Sequence, residues 1–289
     1  MGTIYIGIIL LMRVVQSLSS KNSSILLPKG AAASARYFGY TKLLAALCAS
    51  IFVFAEGGFP LDGKVLLISA LSGAALTISS ISSLIAMKSG TVVLSSMFGT
   101  AGLIIPCICG VFLFGETMSA MQLVGIAVFF ISAWLLIQSS KQIYPHFSLK
   151  TFALLAVVLV SNGLTMLLQK IYALWLPDGS VSMFSFLTFS IPAVVLYLYA
   201  LPQKGGRGKI APKLYLYGAL GAVAVFIINQ LATLCASLVP SVVLFTFING
   251  GGTIIAAIVA AALYREKITW RSAAGIVLGV LSLIIIKAF

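Results

Sequence analysis

The chain consists almost entirely of apolar runs that are long enough to cross a membrane. Of its 289 residues, 61% are hydrophobic and only 8% are charged. A transmembrane helix needs about 20 apolar residues to cross roughly 30 Å of hydrocarbon, and the connections between the runs are short. This pattern excludes a soluble globular protein and leaves no room for a soluble catalytic domain.

The runs predict an all-α integral membrane protein with ten transmembrane helices. Backbone polar groups in a bilayer must be satisfied within each span, as they are in a helix. A β-barrel would need alternating segments of about ten residues, whereas these runs are continuous. The predicted spans lie at about 3–27, 33–55, 64–87, 91–115, 119–139, 150–175, 181–201, 213–237, 240–264 and 269–287.

The second half of the chain resembles the first at an offset of 150 residues. Residues 86–136 align with 236–286 without a gap, and thirteen of these 51 positions are identical. Among the identical pairs are Glu116 with Glu266 and Gly125 with Gly275. The alignment predicts a tandem duplication of membrane helices, a common architecture of secondary transporters.

Five spans in each half is an odd number, so the second half is predicted to enter the membrane inverted. We expect a first five-helix repeat at 1–140, an inter-repeat loop at 141–149 and a second five-helix repeat at 150–289. Inverted repeats place the binding site near the midplane, where the halves meet.

The positions of the basic residues indicate the topology. The net charge is +13, but twelve basic residues fall on one side of the predicted spans and only Lys64 and Lys287 on the other. Basic residues in short loops stay cytoplasmic. We therefore expect a multi-pass plasma or inner membrane protein with both termini outside, in contact with membrane lipids and not with nucleic acid.

Metal and catalytic chemistry lack the necessary residues. The chain has one histidine and four cysteines, and the cysteines all lie in predicted spans, where they are most often small buried apolar residues. A zinc site or a histidine-dependent triad needs more ligands or partners. We expect no metal, no cofactor and no enzymatic activity, and a monomer is a sufficient assembly.

The chain resembles the EamA-type ten-helix members of the drug/metabolite transporter superfamily. Gly115-Glu116 followed by Gln122 and Gly125 is similar to the family's pattern after helix 4, and Arg265-Glu266 with Gly275 to its counterpart after helix 9. The resemblance implies a transporter that moves a small metabolite by alternating access. Two features differ from the family, since the termini are predicted outside and helix 1 has no acidic residue.

Polar and basic residues inside the spans are the candidate binding residues. A basic group at mid-membrane costs at least about 2.5 kcal/mol, so it usually faces a partner, water or substrate. Several of these residues recur at helical spacing on spans 1, 6 and 8, which predicts that each of these spans has a polar face lining a cavity. The candidates for the substrate cavity are Arg13, Gln16, Ser17, Ser20, Lys21, Lys42, Asn162, Thr165, Gln169, Asn229, Gln230, Thr233 and Asn249.

Two alternatives accompany these candidates. Lys21 and Lys170 lie near helix ends, where we expect them to extend toward the interface, and polar stripes can also bond helices to one another. Glu116, Gly125, Glu266 and Gly275 are expected to be structural, with the glutamates near helix starts. Ser119 and Gln122 have the spacing of a capping box.

All five acidic residues lie at or beside loops, which weakens the case for a drug-cation exporter. The expected function is therefore the movement, most simply the export, of a small zwitterionic or anionic, amino-acid-like metabolite. The alternatives are a flippase for an anionic lipid-linked sugar and, less favoured, a multidrug cation exporter.

Overall fold

A computed structural model describes residues 2–28, 30–59, 62–88, 92–139, 149–202, 212–264 and 269–288. These ranges contain helices and no strand. The helices are α1 Gly2–Leu26, α2 Ala31–Ala55, α3 Gly63–Lys88, α4 Val92–Ala101, α5 Ile104–Phe114, α6 Ala120–Ser139, α7 Leu149–Trp175, α8 Val181–Ala200, α9 Pro212–Ala236, α10 Ser241–Thr246, a π-helical turn Phe247–Gly251, α11 Gly252–Tyr264 and α12 Trp270–Ala288.

Within the described residues, seven helical segments are long and apolar enough to cross a membrane. They match seven of the ten predicted spans, and shorter apolar segments lie in the other three, at Phe98–Phe114, Ala120–Leu135 and Ala273–Ala288. Many large apolar side chains are exposed on the helices, such as Phe112 at 82% and Leu11 at 63%. The fold is therefore that of a multi-pass, all-α membrane protein, and the count of ten spans stays a prediction.

The fourth predicted span is interrupted and does not form one continuous helix. It divides into α4 and α5 at Gly102 and Leu103. Pro106 has no N–H to donate to the carbonyl of Gly102, which accepts from Ile105 N at 3.0 Å instead. The break lies where α7 comes close, since a Cβ on Gly102 would be 2.7 Å from Leu159 O. The interruption therefore reflects both the missing N–H of Pro106 and the close approach of α7.

The ninth predicted span changes its winding part-way along. α10 leads into the π-helical turn and then into α11 without leaving the helical path. The glycines of this region permit close packing, because a Cβ on Gly250 would lie 2.8 Å from Phe129 and one on Gly251 would lie 2.6 Å from Leu10. Single π-helical turns of this kind occur often at functional sites.

The most extensive helix packing joins α2 to α8, α6 to α12, α1 to α9 and α3 to α7. The largest apolar core includes Ile9, Leu103, Phe129, Cys235 and Val242. It fills the end of the bundle where α1 begins and α9 ends, which we call the Glu116 end. The opposite end, where α1 ends and α9 begins, is called the Lys21 end.

Candidate functional site

Three connected cavities lie between the helices. The large cavity has a volume of about 550 Å³, the central cavity about 250 Å³ and the small cavity about 140 Å³. Arg13, Gln16 and Asn249 line both the large and the central cavity. Gln16 and Lys42 line both the central and the small cavity. The three spaces therefore form one polar region inside an otherwise apolar bundle.

One wall of the large cavity is the predicted polar stripe of α1. Arg13, Gln16, Ser17, Ser20 and Lys21 all line it, because residues three, four, seven and eight positions apart share a helix face. Ser20 is exposed, so the cavity reaches the surface toward the Lys21 end. The expectation that Lys21 merely extends toward the interface is thus replaced by a position in the cavity wall.

Arg13 lies beside Gly252, the glycine that follows the π-helical turn. A Cβ on Gly252 would come within 3.2 Å of Arg13 Cδ, so glycine there makes room for the arginine. Arg13 Nη1 donates to Gln16 Oε1 at 2.8 Å, and Arg13 Nε is buried with no hydrogen-bond partner among the residues that the structure describes. A buried donor without a partner is unfavourable unless a ligand or water completes it.

Lys42 is the second cationic group of the central cavity. Its Nζ lies 5.3 Å from the centre of the Phe189 ring, a distance at which a cation is attracted to the ring face. Among the described residues, no aspartate or glutamate lines any of the three cavities. The described part of the cavity wall therefore carries net positive charge.

Amide side chains from other helices form a further part of the central cavity's wall. Asn162, Gln169 and Asn229 line it from α7 and α9, and Asn249 lines it from the π-helical turn. Thr165 also lines it, one turn from Asn162. Together with Gln16, these asparagine and glutamine side chains place five amides around a small cavity, and amides supply directional hydrogen bonds without adding charge.

Two further predicted residues lie behind this wall. Thr233 is 1% exposed and accepts a hydrogen bond from Gln169 Nε2 at 2.9 Å. Gln230 bonds to α8, where Ser185 Oγ donates to its Oε1 at 2.9 Å and its Nε2 donates to Ser182 Oγ at 2.9 Å. Both residues support the cavity wall and do not line it.

The same hydrogen bonds connect the wall to a carboxylate at the Glu116 end. Ser182 donates to Glu56, and since a carboxylate only accepts, Ser182 Oγ is left to accept from Gln230. Ser185 in turn accepts from Asn229 Nδ2 at 3.0 Å. Each hydrogen bond from Glu56 to Asn229 therefore has a fixed donor and a fixed acceptor, and this sets the orientation of the Gln230 and Asn229 amides.

At the Glu116 end of the bundle, Glu116 itself forms an ion pair. Its Oε1 lies 2.6 Å from Lys170 Nζ, and the two side chains are 16% and 3% exposed. Lys170 also donates to Val239 O at 3.0 Å, and Ser241 N donates to Glu116 Oε2 at 2.8 Å. The expectation that Lys170 extends to the interface is wrong, because a buried carboxylate and a carbonyl hold its ammonium inside.

The remaining motif residues have structural positions. Ser119 and Gln122 bond reciprocally at 3.1 Å, which confirms the capping box of α6. Gly125 and Gly275 both lie where α6 packs on α12, since a Cβ on Gly125 would be 2.6 Å from Ile286 and Gly275 O accepts from Ser132. Glu266 lies outside the described residues.

Several cavity residues were not predicted from the sequence. Thr100 and Thr253 line the large cavity, while Met166 lines the central one. Thr253 follows Asn249 by four residues, so helical spacing could have indicated it. Thr100 lies just before the break at Gly102, which the sequence did not locate.

The described residues contain no group of three or more histidine, cysteine, aspartate or glutamate side chains able to hold a metal ion. No protein-family model matches the chain, and no curated protein matches it in sequence. A solved chain, described only as the crystal structure of a protein, superposes on 98% of this chain and 95% of its own length. The TM-score is 0.76 and the sequence identity 11%, a likeness that shows a shared fold alone.

Proposed function

We propose that this protein is a secondary transporter that moves a small organic metabolite across the membrane by alternating access. The observation that supports this proposal most directly is a polar, positively charged cavity inside a bundle of apolar helices. Burying Arg13 and Lys42 at this depth is costly, and such a cost is usual at substrate and ion pathways. The proposal includes membership of the EamA-type drug/metabolite transporters, with ten spans in two inverted repeats.

The difference between the two ends of the bundle supports alternating access. The large cavity extends from Arg13 to Lys21 and reaches the surface at Ser20. At the other end, the packed core and the ion pair of Glu116 with Lys170 lie between the central cavity and the surface. A cavity accessible from one end only is the arrangement that an alternating-access cycle requires.

The helix pairing supports the duplication. In the predicted repeats, α1 corresponds to α7 and α3 corresponds to α9, so the packed pair of α1 with α9 has its counterpart in the packed pair of α7 with α3. The other two extensive pairs, α2 with α8 and α6 with α12, each join a helix to its own counterpart. This is the pairing expected of two related halves about a pseudo-two-fold axis.

The charge of the cavity favours an anionic or zwitterionic substrate. Arg13 and Lys42 lie in the cavity wall. Glu56 is the carboxylate to which the hydrogen bonds behind this wall lead, and it bonds to serines at the start of α8 and does not line the cavity. A bare organic cation would meet like charge without a carboxylate from the described wall. An amino acid or a related acid suits this wall, and the predicted orientation places the Lys21 end in the cytoplasm, as an exporter needs.

The test is a ligand screen on the purified protein in detergent, read by thermal unfolding. A ligand at about one hundred times its Kd stabilises the folded state by about 2.7 kcal/mol. We expect an amino acid or organic acid to raise the Tm of the wild type and to have a much smaller effect on Arg13→Gln. Tight binding of tetraphenylphosphonium, competed by other bulky cations, would contradict the proposal, and selective binding of a polyprenyl phosphate would favour the flippase.

A further inference from the structure

Three amides of the central cavity have their nitrogen atoms committed to backbone carbonyls. Asn162 Nδ2 donates to Gly99 O at 2.6 Å, Gln169 Nε2 to Asn229 O at 3.0 Å and Asn249 Nδ2 to Phe245 O at 2.9 Å. A carbonyl oxygen only accepts hydrogen bonds. The orientation of each amide is therefore fixed by its partner, with the nitrogen turned toward the backbone.

The corresponding oxygens are left as acceptors. None of the described residues donates to Asn162 Oδ1, Gln169 Oε1 or Asn249 Oδ1, although all three residues line the central cavity. Partly buried acceptors are normally satisfied by a donor, either a ligand or water. Three amide oxygens around one small space form a site for a group with several N–H donors.

A second group of residues that line the same cavity has the opposite character. Among the described residues, Arg13 Nε is buried without a hydrogen-bond partner, and Gln16, whose Oε1 accepts from Arg13, has no acceptor for its amide nitrogen. Lys42 contributes an ammonium. The donors are thus on α1 and α2, while the acceptors are on α7 and the π-helical turn.

We infer that the central cavity is a two-ended zwitterion site, in which the oxygens of Asn162, Gln169 and Asn249 bind a substrate ammonium while Arg13 and Lys42 bind its carboxylate. This inference rests on the proposed transport function and narrows its substrate class. A simple anion leaves the three oxygens without donors, and a simple cation meets the two positive side chains without a counter-charge. Phe189, Phe245 and Ile248 line the same cavity and accommodate an apolar substituent.

The test compares three matched ligands on the full-length protein. The twenty proteinogenic amino acids are first ranked by isothermal titration. The tightest binder is then compared with its des-amino acid, which lacks the ammonium, and with its decarboxylated amine. We expect the amino acid to bind at least about tenfold more tightly than either analogue, since each analogue leaves charged or polar groups unpaired.

Variants at the two ends separate their roles. Asn249→Ala removes one oxygen together with the hydrogen bonds of its amide nitrogen to Phe245 O and to Met166 Sδ. It should weaken the amino acid about tenfold and leave the des-amino acid unchanged, because only a ligand with an ammonium uses that oxygen. Arg13→Gln should weaken both ligands. Asn162→Ala is the second test of the oxygen end, and Ser24→Ala, exposed and outside the cavities, is the control for folding.

The outcomes distinguish the site from the function. Equal affinity of wild type for the amino acid and its des-amino acid overturns the zwitterion site, while the proposed transport of an organic anion stands. Parallel loss of both ligands in Asn249→Ala also overturns it, since that is the effect of structural damage. Absence of binding by any amino acid or organic acid overturns both proposals.

Discussion

The ion pair between Glu116 and Lys170 connects the two halves of the sequence at the Glu116 end. Glu116→Gln retains the shape of the side chain and its acceptor oxygen for Ser241 N, but removes the charge. The ammonium of Lys170, 3% exposed, then keeps only the carbonyl of Val239. An ammonium buried without its counter-charge is strongly unfavourable.

The expected loss follows from this burial. Removing one partner of a buried ion pair costs about 3–5 kcal/mol, and we take the lower end, about 3 kcal/mol, because Glu116 is itself 16% exposed. For a chain of 289 residues that corresponds to a decrease in Tm of about 5 °C. Lys170→Met should be less harmful than Glu116→Gln, because a partly exposed carboxylate can recruit water.

The assay is thermal and denaturant unfolding of the purified protein in detergent, arranged as a double-mutant cycle. The double variant Glu116→Gln/Lys170→Met should recover much of the stability lost in Glu116→Gln, because no buried charge remains. A free energy of unfolding for Glu116→Gln within about 0.5 kcal/mol of the wild type, the range of ordinary surface substitutions, would refute the reasoning. Simple addition of the two single effects would refute it as well.

Three further changes test the packing, the support of the cavity and the orientation. Gly163→Ala should lower the free energy of unfolding by about 1–3 kcal/mol through overpacking, since a Cβ there would lie 2.5 Å from a backbone carbonyl oxygen; unchanged unfolding would contradict this. Ser182→Ala should cost about 0.5–1.5 kcal/mol by removing the hydrogen bonds that Ser182 makes with Glu56 and Gln230, and a Tm equal to wild type would show that the chain of bonds from Glu56 has no structural effect. In a cysteine-free background, Ser20→Cys should react with an impermeant maleimide from the cytoplasmic side and Ser237→Cys from the outside; the reverse pattern would overturn the predicted orientation.

Much of the fold follows from features that are local in sequence. The long apolar runs indicated the helices that the structure contains, because in a bilayer hydrophobic length alone selects them. The α6 capping box was also predictable, because both of its residues lie within one turn of the helix. Helical spacing also identified the α1 stripe, whose residues share one cavity.

Features that depend on partners from distant segments were not predictable. Lys170 resembles an interfacial lysine in sequence, but it meets Glu116 from another loop. Asn229 and Gln230 are adjacent on α9, yet one lines the cavity and the other bonds to α8. Neighbouring residues on a helix point about 100° apart, as 3.6 residues per turn requires, and only the packing of α7 and α8 decides which of them faces the cavity.

The winding of the interrupted spans was only partly predictable. A proline such as Pro106 disturbs a helix because it lacks an N–H, whereas the position of the break depends on the close approach of α7 to Gly102. A run of glycines such as the one after Asn249 is compatible with either close packing or an unwound segment. The structure has close packing together with a π-helical turn, a result that depends on Leu10 and Phe129 packing against that turn.

The most direct test of the transport proposal is exchange across a sealed membrane. Purified protein is reconstituted into liposomes loaded with the tightest-binding amino acid or organic acid of the screen, and uptake of the radiolabelled compound is followed. The proposal predicts saturable exchange above that of protein-free liposomes, loss of exchange in Arg13→Gln and normal exchange in Ser24→Ala. Uptake no faster than in protein-free liposomes for every ligand that binds, or equal exchange in Arg13→Gln, would contradict it.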